Sequence, residues 1–245
     1  MLLSIFLSLL IPISCIINIP NNHGPCVDTE AYFAVDQDQE DHDGSFFDVE
    51  NLENTESQNP KADTVSCARE NNGNCEPGWK NFTRPSGEWC MKVFYARFDR
   101  QSDAVKGCKE HEAVLSSLQN QLEHQFVYYT FIEHIFPESG VVWIGAKRTD
   151  KCWRQYLNAK CNEYTTFEWT DGSASGTEGF DWIPKQPNNG GGYQNCAVLY
   201  ASPNRTIDGY PTSKLDDVQC ERIWDVNLHA NILPKAYVCG KKPKN

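Results

Sequence analysis

Six histidines and eleven cysteines are the residues of this 245-residue chain with the widest chemical range. The histidines fall into no catalytic spacing. His111, His124 and His134 are not at i, i+4 separations, and His111-Glu112 lacks the second histidine of a zinc-protease H-E-x-x-H motif. A glycine-rich phosphate loop, a nucleophile elbow and a cysteine–histidine pairing are all missing. No C-x-x-C pair occurs, so zinc-ribbon spacing is missing too. The histidines therefore read as surface or core residues, and no enzymatic activity is expected. The cysteines point to oxidation instead. Asn81-Phe-Thr83 and Asn204-Arg-Thr206 are N-glycosylation acceptors, a modification of secreted chains.

Compartment follows from the first residues. Met1 to Ile19 carries no charged side chain, and its apolar centre from Leu2 to Leu10 is shorter than the roughly 20 residues a membrane span needs. Pro12 interrupts it, and Ser14 and Cys15 supply small residues for cleavage, so residues 1–15 are expected to be a signal peptide. The missing Lys or Arg near Met1 departs from that pattern, and a retained anchor is the competing reading. Loss of Cys15 leaves ten cysteines, an even number that fits a disulfide framework in a secreted, extracellular protein.

Charge is concentrated in one segment. Between Val27 and Ser66 there are twelve acidic residues and one basic one, Lys61, which accounts for the whole formal charge of −11. From Cys67 onward acidic and basic residues balance. Residues 16–66 are therefore expected to be an acidic, disordered leader that solvates rather than binds. No basic stripe exists to meet phosphates, which argues against nucleic acid as a partner. Insertion into a membrane after signal removal is not expected either, since no second apolar run is long enough to span.

The remaining chain, 67–245, is one domain's length and holds all seven tryptophans. Ser102, with Asp103 after it, predicts the cap of a short helix reaching about His111. Asn120 followed by Glu123 predicts a second cap, an asparagine variant of the capping box. Leu122, Phe126 and Tyr129 form the expected buried stripe, widened by Phe131 and Ile135. Short strands are expected at Val141–Ala146, Thr166–Thr170, Asn195–Leu199, Val218–Glu221 and Ala236–Cys239. Between them, Asp171 to Gln194 is a Gly- and Asn-rich loop, and a loop that long inside a compact domain is usually functional. Helices followed by strands predict an α+β fold.

A family resemblance enters with specific residues. Cys75-Glu-Pro-Gly-Trp79 and Trp89-Cys90 resemble the opening hairpin of long-form C-type lectin domains. Trp143-Ile-Gly-Ala146 resembles their W-I-G-L signature, and Phe167-Glu-Trp-Thr-Asp-Gly172 their F-x-W-x-D-G turn. Gln186-Pro-Asn188 stands where the family carries E-P-N or Q-P-D, and Leu215-Asp-Asp217 where it carries W-N-D, and Cys196, Cys220 and Cys239 close the pattern. The segment Cys152 to Cys161 is similar to an insert of nematode members. The resemblance implies a C-type lectin-like fold with pairs Cys75–Cys90, Cys108–Cys239 and Cys196–Cys220. Proximity adds Cys152–Cys161, and Cys26–Cys67 is what remains. In the chain-entropy picture, closing the Cys108–Cys239 loop stabilises by about 5 kcal/mol. Trp143 and Trp169 are expected in the core, with Trp182 left open.

The resemblance also implies a ligand set. Carried over by position, Gln186, Asn188, Gln194, Asp216 and Asp217 would hold Ca2+ and meet two sugar hydroxyls, since calcium takes six to eight oxygen ligands. All five are oxygen donors. Only two are carboxylates, so weak affinity is expected. Gln186 and Asn188, with oxygens turned to the ion, offer only NH₂ donors to a sugar. Asn189 and Asn195 make the auxiliary calcium site poorer still. Two functions follow from the resemblance: calcium-dependent recognition of glycans or glycoproteins, in surface recognition or defence, or a calcium-independent module for a protein or other non-sugar ligand. A polar loop and a turn with no metal is the plain alternative for these residues.

Overall fold

The computed structural model describes residues 73–221, 224 and 230–244. The expected signal peptide, the acidic leader and the Cys26–Cys67 pair lie outside the described residues. Ten strands and two helices follow one another. A hairpin of β1 (Lys80–Arg84) and β2 (Gly87–Tyr95) leads into α1 (Gln101–Glu110), β3 (Val114–Leu115) and α2 (Gln121–Ile135). Then come β4 (Gly140–Arg148), β5 (Phe167–Trp169) and β6 (Cys196–Ala201). A small hairpin, β7 (Thr206–Ile207) with β8 (Tyr210–Pro211), precedes β9 (Lys214–Val218) and β10 (Pro234–Lys241). The main sheet runs β1-β2-β10-β4-β6-β9, with β3 paired to β10 and β5 to β4. Its pairings are antiparallel except β10 with β4, which is parallel. The expected α+β class holds.

β4 shows why the sheet is stable. Its side chains alternate between two hydrophobic clusters, Val141 and Trp143 on one face, Val142, Ile144 and Ala146 on the other. Burial on both faces explains the unbroken apolar run of that segment. Cys108 of α1 joins the first cluster, and Val127 and Phe131 of α2 join the second. Gly145 lies against β3: its N–H donates to Ser116 O at 2.7 Å, and a Cβ there would meet Leu115 O at 2.2 Å. Only glycine permits that approach. Four disulfides, Cys75–Cys90, Cys108–Cys239, Cys152–Cys161 and Cys196–Cys220, form as expected.

Several expectations are corrected. Ser102 does not cap α1; the helix starts two residues earlier, and Arg100 occupies the cap position without a side-chain bond. The start is set by a distant contact instead, Gln101 N–H donating to Cys220 O at 2.9 Å. Asn120 does cap α2, accepting from the N–H groups of Leu122 (3.1 Å) and Glu123 (3.2 Å). Glu123 does not return the bond of a capping box. It accepts from Gln119 N–H at 2.7 Å and pairs with buried Arg84 at 2.6 Å.

The inward face of the helix matches the expected stripe in part: Phe131 is in the core and Phe126 and Ile135 pack against it. Glu123, His124, Val127 and Phe131 are buried, while Leu122 and Tyr129 are 62% and 54% exposed. The demand of Arg84 for a carboxylate brings the polar Glu123 into the protein, and Leu122 and Tyr129 are left outside. The strand expected at Val218–Glu221 lies earlier, at Lys214–Val218. Asp216 and Asp217 are poor strand formers, but both carboxylates find partners inside the fold.

Candidate ligand-binding site

The long loop leaves β5 and returns to β6, and its middle is stitched to β9. Ile183 N–H donates to Leu215 O at 2.9 Å, and Leu215 N–H to Asp181 O at 2.8 Å. Lys214 pairs with Asp181 at 2.6 Å over the same stretch. These bonds cover the open edge of β9 and fix where the rest of the loop can go.

The returning arm folds around one ion pair. Arg148, the last residue of β4, and Asp217 of β9 have fully buried side chains, with Nη2 2.5 Å from Oδ2. Asp217 also accepts from the backbone N–H groups of Asn188 (3.0 Å) and Asn189 (2.8 Å). Arg148 donates through Nε to Gln194 O at 2.8 Å, and its guanidinium lies 4.9 Å from the centre of the Phe167 ring. Burial pushes the Asp217 carboxyl up, while the Asn189 N–H and the Arg148 charge pull it back. Burial likewise pushes Arg148 down, against the pull of Asp217. Desolvation is the largest influence on both partners, so the pair fixes the geometry of the loop rather than adding net stability.

The loop satisfies itself around that pair. Gln186 Oε1 accepts from Asn188 N–H at 2.9 Å, and Asn188 Oδ1 from Gly190 N–H at 2.7 Å. Gln194 Oε1 accepts from Gly190 N–H as well. Asn189, fully buried at φ 56°, accepts through Oδ1 from Gln194 N–H (3.0 Å) and donates through Nδ2 to Gln155 O (3.0 Å). Asparagine tolerates that left-handed conformation better than most residues. Asn189 is thus a structural residue of the loop. Gln155 belongs to the Cys152–Cys161 insert, so the insert and the loop support each other.

Of the five positions expected to ligate calcium, the structure brings Gln186, Asn188, Gln194 and Asp217 into one bonded loop. Asp216 is separated from them. Neighbours in a strand leave on opposite faces, and Asp216 accepts instead from Tyr200 O–H at 3.1 Å. The arrangement does not fit a calcium ion. Asp217 already faces a guanidinium and two N–H groups, and the amide oxygens of Gln186, Asn188 and Gln194 accept backbone bonds. A divalent ion there would meet a like charge on Arg148 at close range. Among the described residues no group of three or more His, Cys, Asp or Glu could hold a metal.

Arg148 escaped the sequence reading, although a signal existed. Val142, Ile144, Ala146 and Arg148 share one face of β4 by period-two alternation. An arginine on the buried side of a strand requires a carboxylate partner, and the Asp216-Asp217 pair could supply one. Trp143 is core as expected, while Trp169 is half-buried, its ring stacked on Phe180 with centres 3.8 Å apart. Trp182 is half-buried too, donating through Nε1 to Glu163 O at 3.0 Å. Asn204 is exposed in a turn, and Asn81 is half-buried in β1.

A family model described as C-type lectin domain-containing protein 141/158 matches residues 74–242. Layilin of Mus musculus is 31% identical over 119 residues, covering 47% of this chain and 29% of layilin. The low affinity immunoglobulin epsilon Fc receptor of Mus musculus is 27% identical over 172 residues, 69% of this chain and 42% of the receptor. The matches thus span less than half the length of these curated relatives. The mouse scavenger receptor C-type lectin carbohydrate-recognition domain superposes with a TM-score of 0.42 at 22% identity, over 69% of this chain and 99% of that one. With the family match running through both disulfide-closed ends of the sheet, this chain belongs to the C-type lectin domain family.

Proposed function

We propose that the chain is a secreted recognition module that binds glycans or glycoproteins on the face of its long loop, without calcium. The observation that carries this reading is the Arg148–Asp217 pair, with Asp217 also held by Asn188 and Asn189 N–H. A fixed internal cation does the ordering work that a calcium ion would do, and it cannot be removed by chelation. What the loop then offers to a ligand is the exposed edge: the NH₂ group of Asn188, that of half-buried Gln194, and the ring of Tyr193, which is 60% exposed. Amide donors and an aromatic face suit hydroxyl-rich ligands. Four disulfides support an oxidising, extracellular setting. Asn204, exposed in its turn, is the acceptor better placed to carry a glycan.

A second reading keeps calcium. It rests on the oxygen-donor character of Gln186, Asn188, Gln194, Asp216 and Asp217, and it requires Arg148 to leave Asp217 and Asp216 to turn toward the loop. The deciding experiment is thermal unfolding of the full chain in millimolar calcium and in chelator, together with a glycan array under both conditions. Equal melting curves with glycan binding in chelator support the calcium-free reading. A rise in melting temperature with calcium, by mass action on the folded state, overturns it in favour of the second. Binding to no glycan under either condition, with a folded protein, leaves recognition of a protein ligand as the function.

A further inference from the structure

A groove of about 200 Å³ opens beside the long loop, away from the Arg148–Asp217 pair, between residues 163–164 and 180–186. Its lining is mainly polar, with Tyr164, Phe180 and Trp182 as the aromatic side chains. Trp182 stacks on Phe180 with planes 8° apart and centres at 5.6 Å, and its indole N–H is anchored on Glu163 O. Tyr164 stands at the rim, 58% exposed, with the neighbouring Glu163 carboxylate raising its pKa.

The polar groups of the groove are of both kinds. Lys185 forms no ion pair among the described residues. Gln186, which lines the groove, spends its oxygen on Asn188 N–H, which leaves its NH₂ as its donor. Glu163 supplies a carboxylate acceptor, whereas both oxygens of Asp181 are taken by Lys214. Charges of opposite sign around one small space favour a neutral guest, because a charged one gains one contact and meets one repulsion. A guest needing both donors and acceptors, with one flat apolar face for the rings, is a sugar ring. At about 200 Å³ the groove is smaller than drug-sized pockets of roughly 300–1,000 Å³, so it takes a single ring.

Backbone strain at the rim is a separate observation. Lys185 sits at φ 73°, where a side chain other than glycine costs about 1–2 kcal/mol. Glycine would relieve that cost but would bring no ammonium group to the groove. Strain of this kind clusters at ligand clamps and active sites.

We propose that this groove is a sugar subsite that takes one neutral pyranose residue, with Tyr164 and Trp182 against the ring and Lys185, Gln186 and Glu163 on its hydroxyls. The subsite rests on the glycan reading above and extends it to a second place of contact. It needs no metal.

The test uses the full chain in chelator, titrated with methyl glycosides of glucose, galactose, mannose and N-acetylglucosamine to about 50 mM, a range suited to single-ring affinities. The indole N–H resonance of Trp182 is the readout, assigned by its loss in Trp182→Phe. At least one glycoside should shift it saturably. Tyr164→Ala, a change at an exposed side chain, should weaken that binding roughly three- to ten-fold, the range for one aromatic contact. Lys185→Gly should weaken it as well while leaving the protein at least as stable. A Trp182 resonance unmoved by all four glycosides overturns the subsite, as does binding unchanged in both variants. Shifts confined to the Asn188 and Gln194 amides also overturn it but leave the loop-face reading standing, whereas no shift anywhere counts against both.

Discussion

Arg84 and Arg148 are both guanidiniums with fully buried side chains, and they sit at opposite ends of the same long loop. Arg84 pairs with Glu123 at 2.6 Å and lies 3.5 Å from Asp171, where the loop begins. It also donates to Ser117 O at 3.0 Å and to the hydroxyls of Ser117 and Ser173. Asp171 in turn accepts from Ser117 N–H at 2.7 Å. Arg148 has one carboxylate, Asp217, and shares it with two loop amides. The first cluster joins a hairpin, a helix and a turn, and all of its partners are structural. The second joins two strands to the part of the loop proposed to face a ligand. A buried ion pair of the same chemistry can hold up a fold or hold a binding surface, and the partners of the carboxylate's remaining lone pairs decide which.

That contrast predicts different damage. Arg84→Met should cost about 4–5 kcal/mol, because it strands Glu123 without its cation in a dry site and breaks a buried pair. Denaturant unfolding would show it, and a loss under about 1 kcal/mol would mean that the cluster contributes little. Arg148→Met should cost less, roughly 3 kcal/mol, since Asp217 keeps two N–H donors. Its distinctive result should be rapid proteolysis between Asn188 and Gln194 in a chain that is still folded. Global unfolding with no local cleavage would contradict the assignment of Arg148 to the loop.

The Arg84 end should also respond to acid. His124, next to Glu123, has no exposed surface, and neither ring nitrogen has a hydrogen-bond partner in the protein. Burial lowers its pKa from 6.5 to about 4, with Asp181 pulling up and Lys214 pushing down. The folded pKa is depressed for a base, so the unfolded chain takes the proton first. Stability is therefore complete above pH 6.5 and falls as the pH drops toward 4, by about 3 kcal/mol in total. His124→Gln should flatten this slope; a slope equal to that of the wild type would move the acid sensitivity elsewhere. Glu76 loses its contribution only at lower pH. Its bonds to Lys241 and Lys244 hold it at about 2, so its share is present above its ordinary value and disappears on falling through about 2.

The smallest expected effect is at the groove rim. Tyr164→Ala should change stability by less than about 0.5 kcal/mol, because the side chain is largely exposed. A larger loss would make Tyr164 a structural residue and weaken its case as a wall for a ligand.

Much of this molecule was legible from local pattern. The Asn120 cap, the α+β order and the apolar run of β4 each depend on residues close in sequence, where propensity and period operate. Three of the cysteine pairs were legible because the family resemblance supplied the connectivity that spacing alone leaves open, and Cys152–Cys161 followed from proximity. Five oxygen donors at Gln186, Asn188, Gln194, Asp216 and Asp217 were legible as a set, but residue type says nothing of which way a lone pair points. Tertiary structure decided that Asp216 turns to Tyr200 and that Asp217 meets Arg148, a residue 69 positions away. It also decided that α2 buries Glu123 and His124 in place of Leu122 and Tyr129, since a guanidinium brought in by the first hairpin must find its counter-charge. The sequence by itself set the elements and the donor inventory. Which donors are free for a ligand depends on contacts between residues far apart in the chain, and those exist only once the sheet has closed.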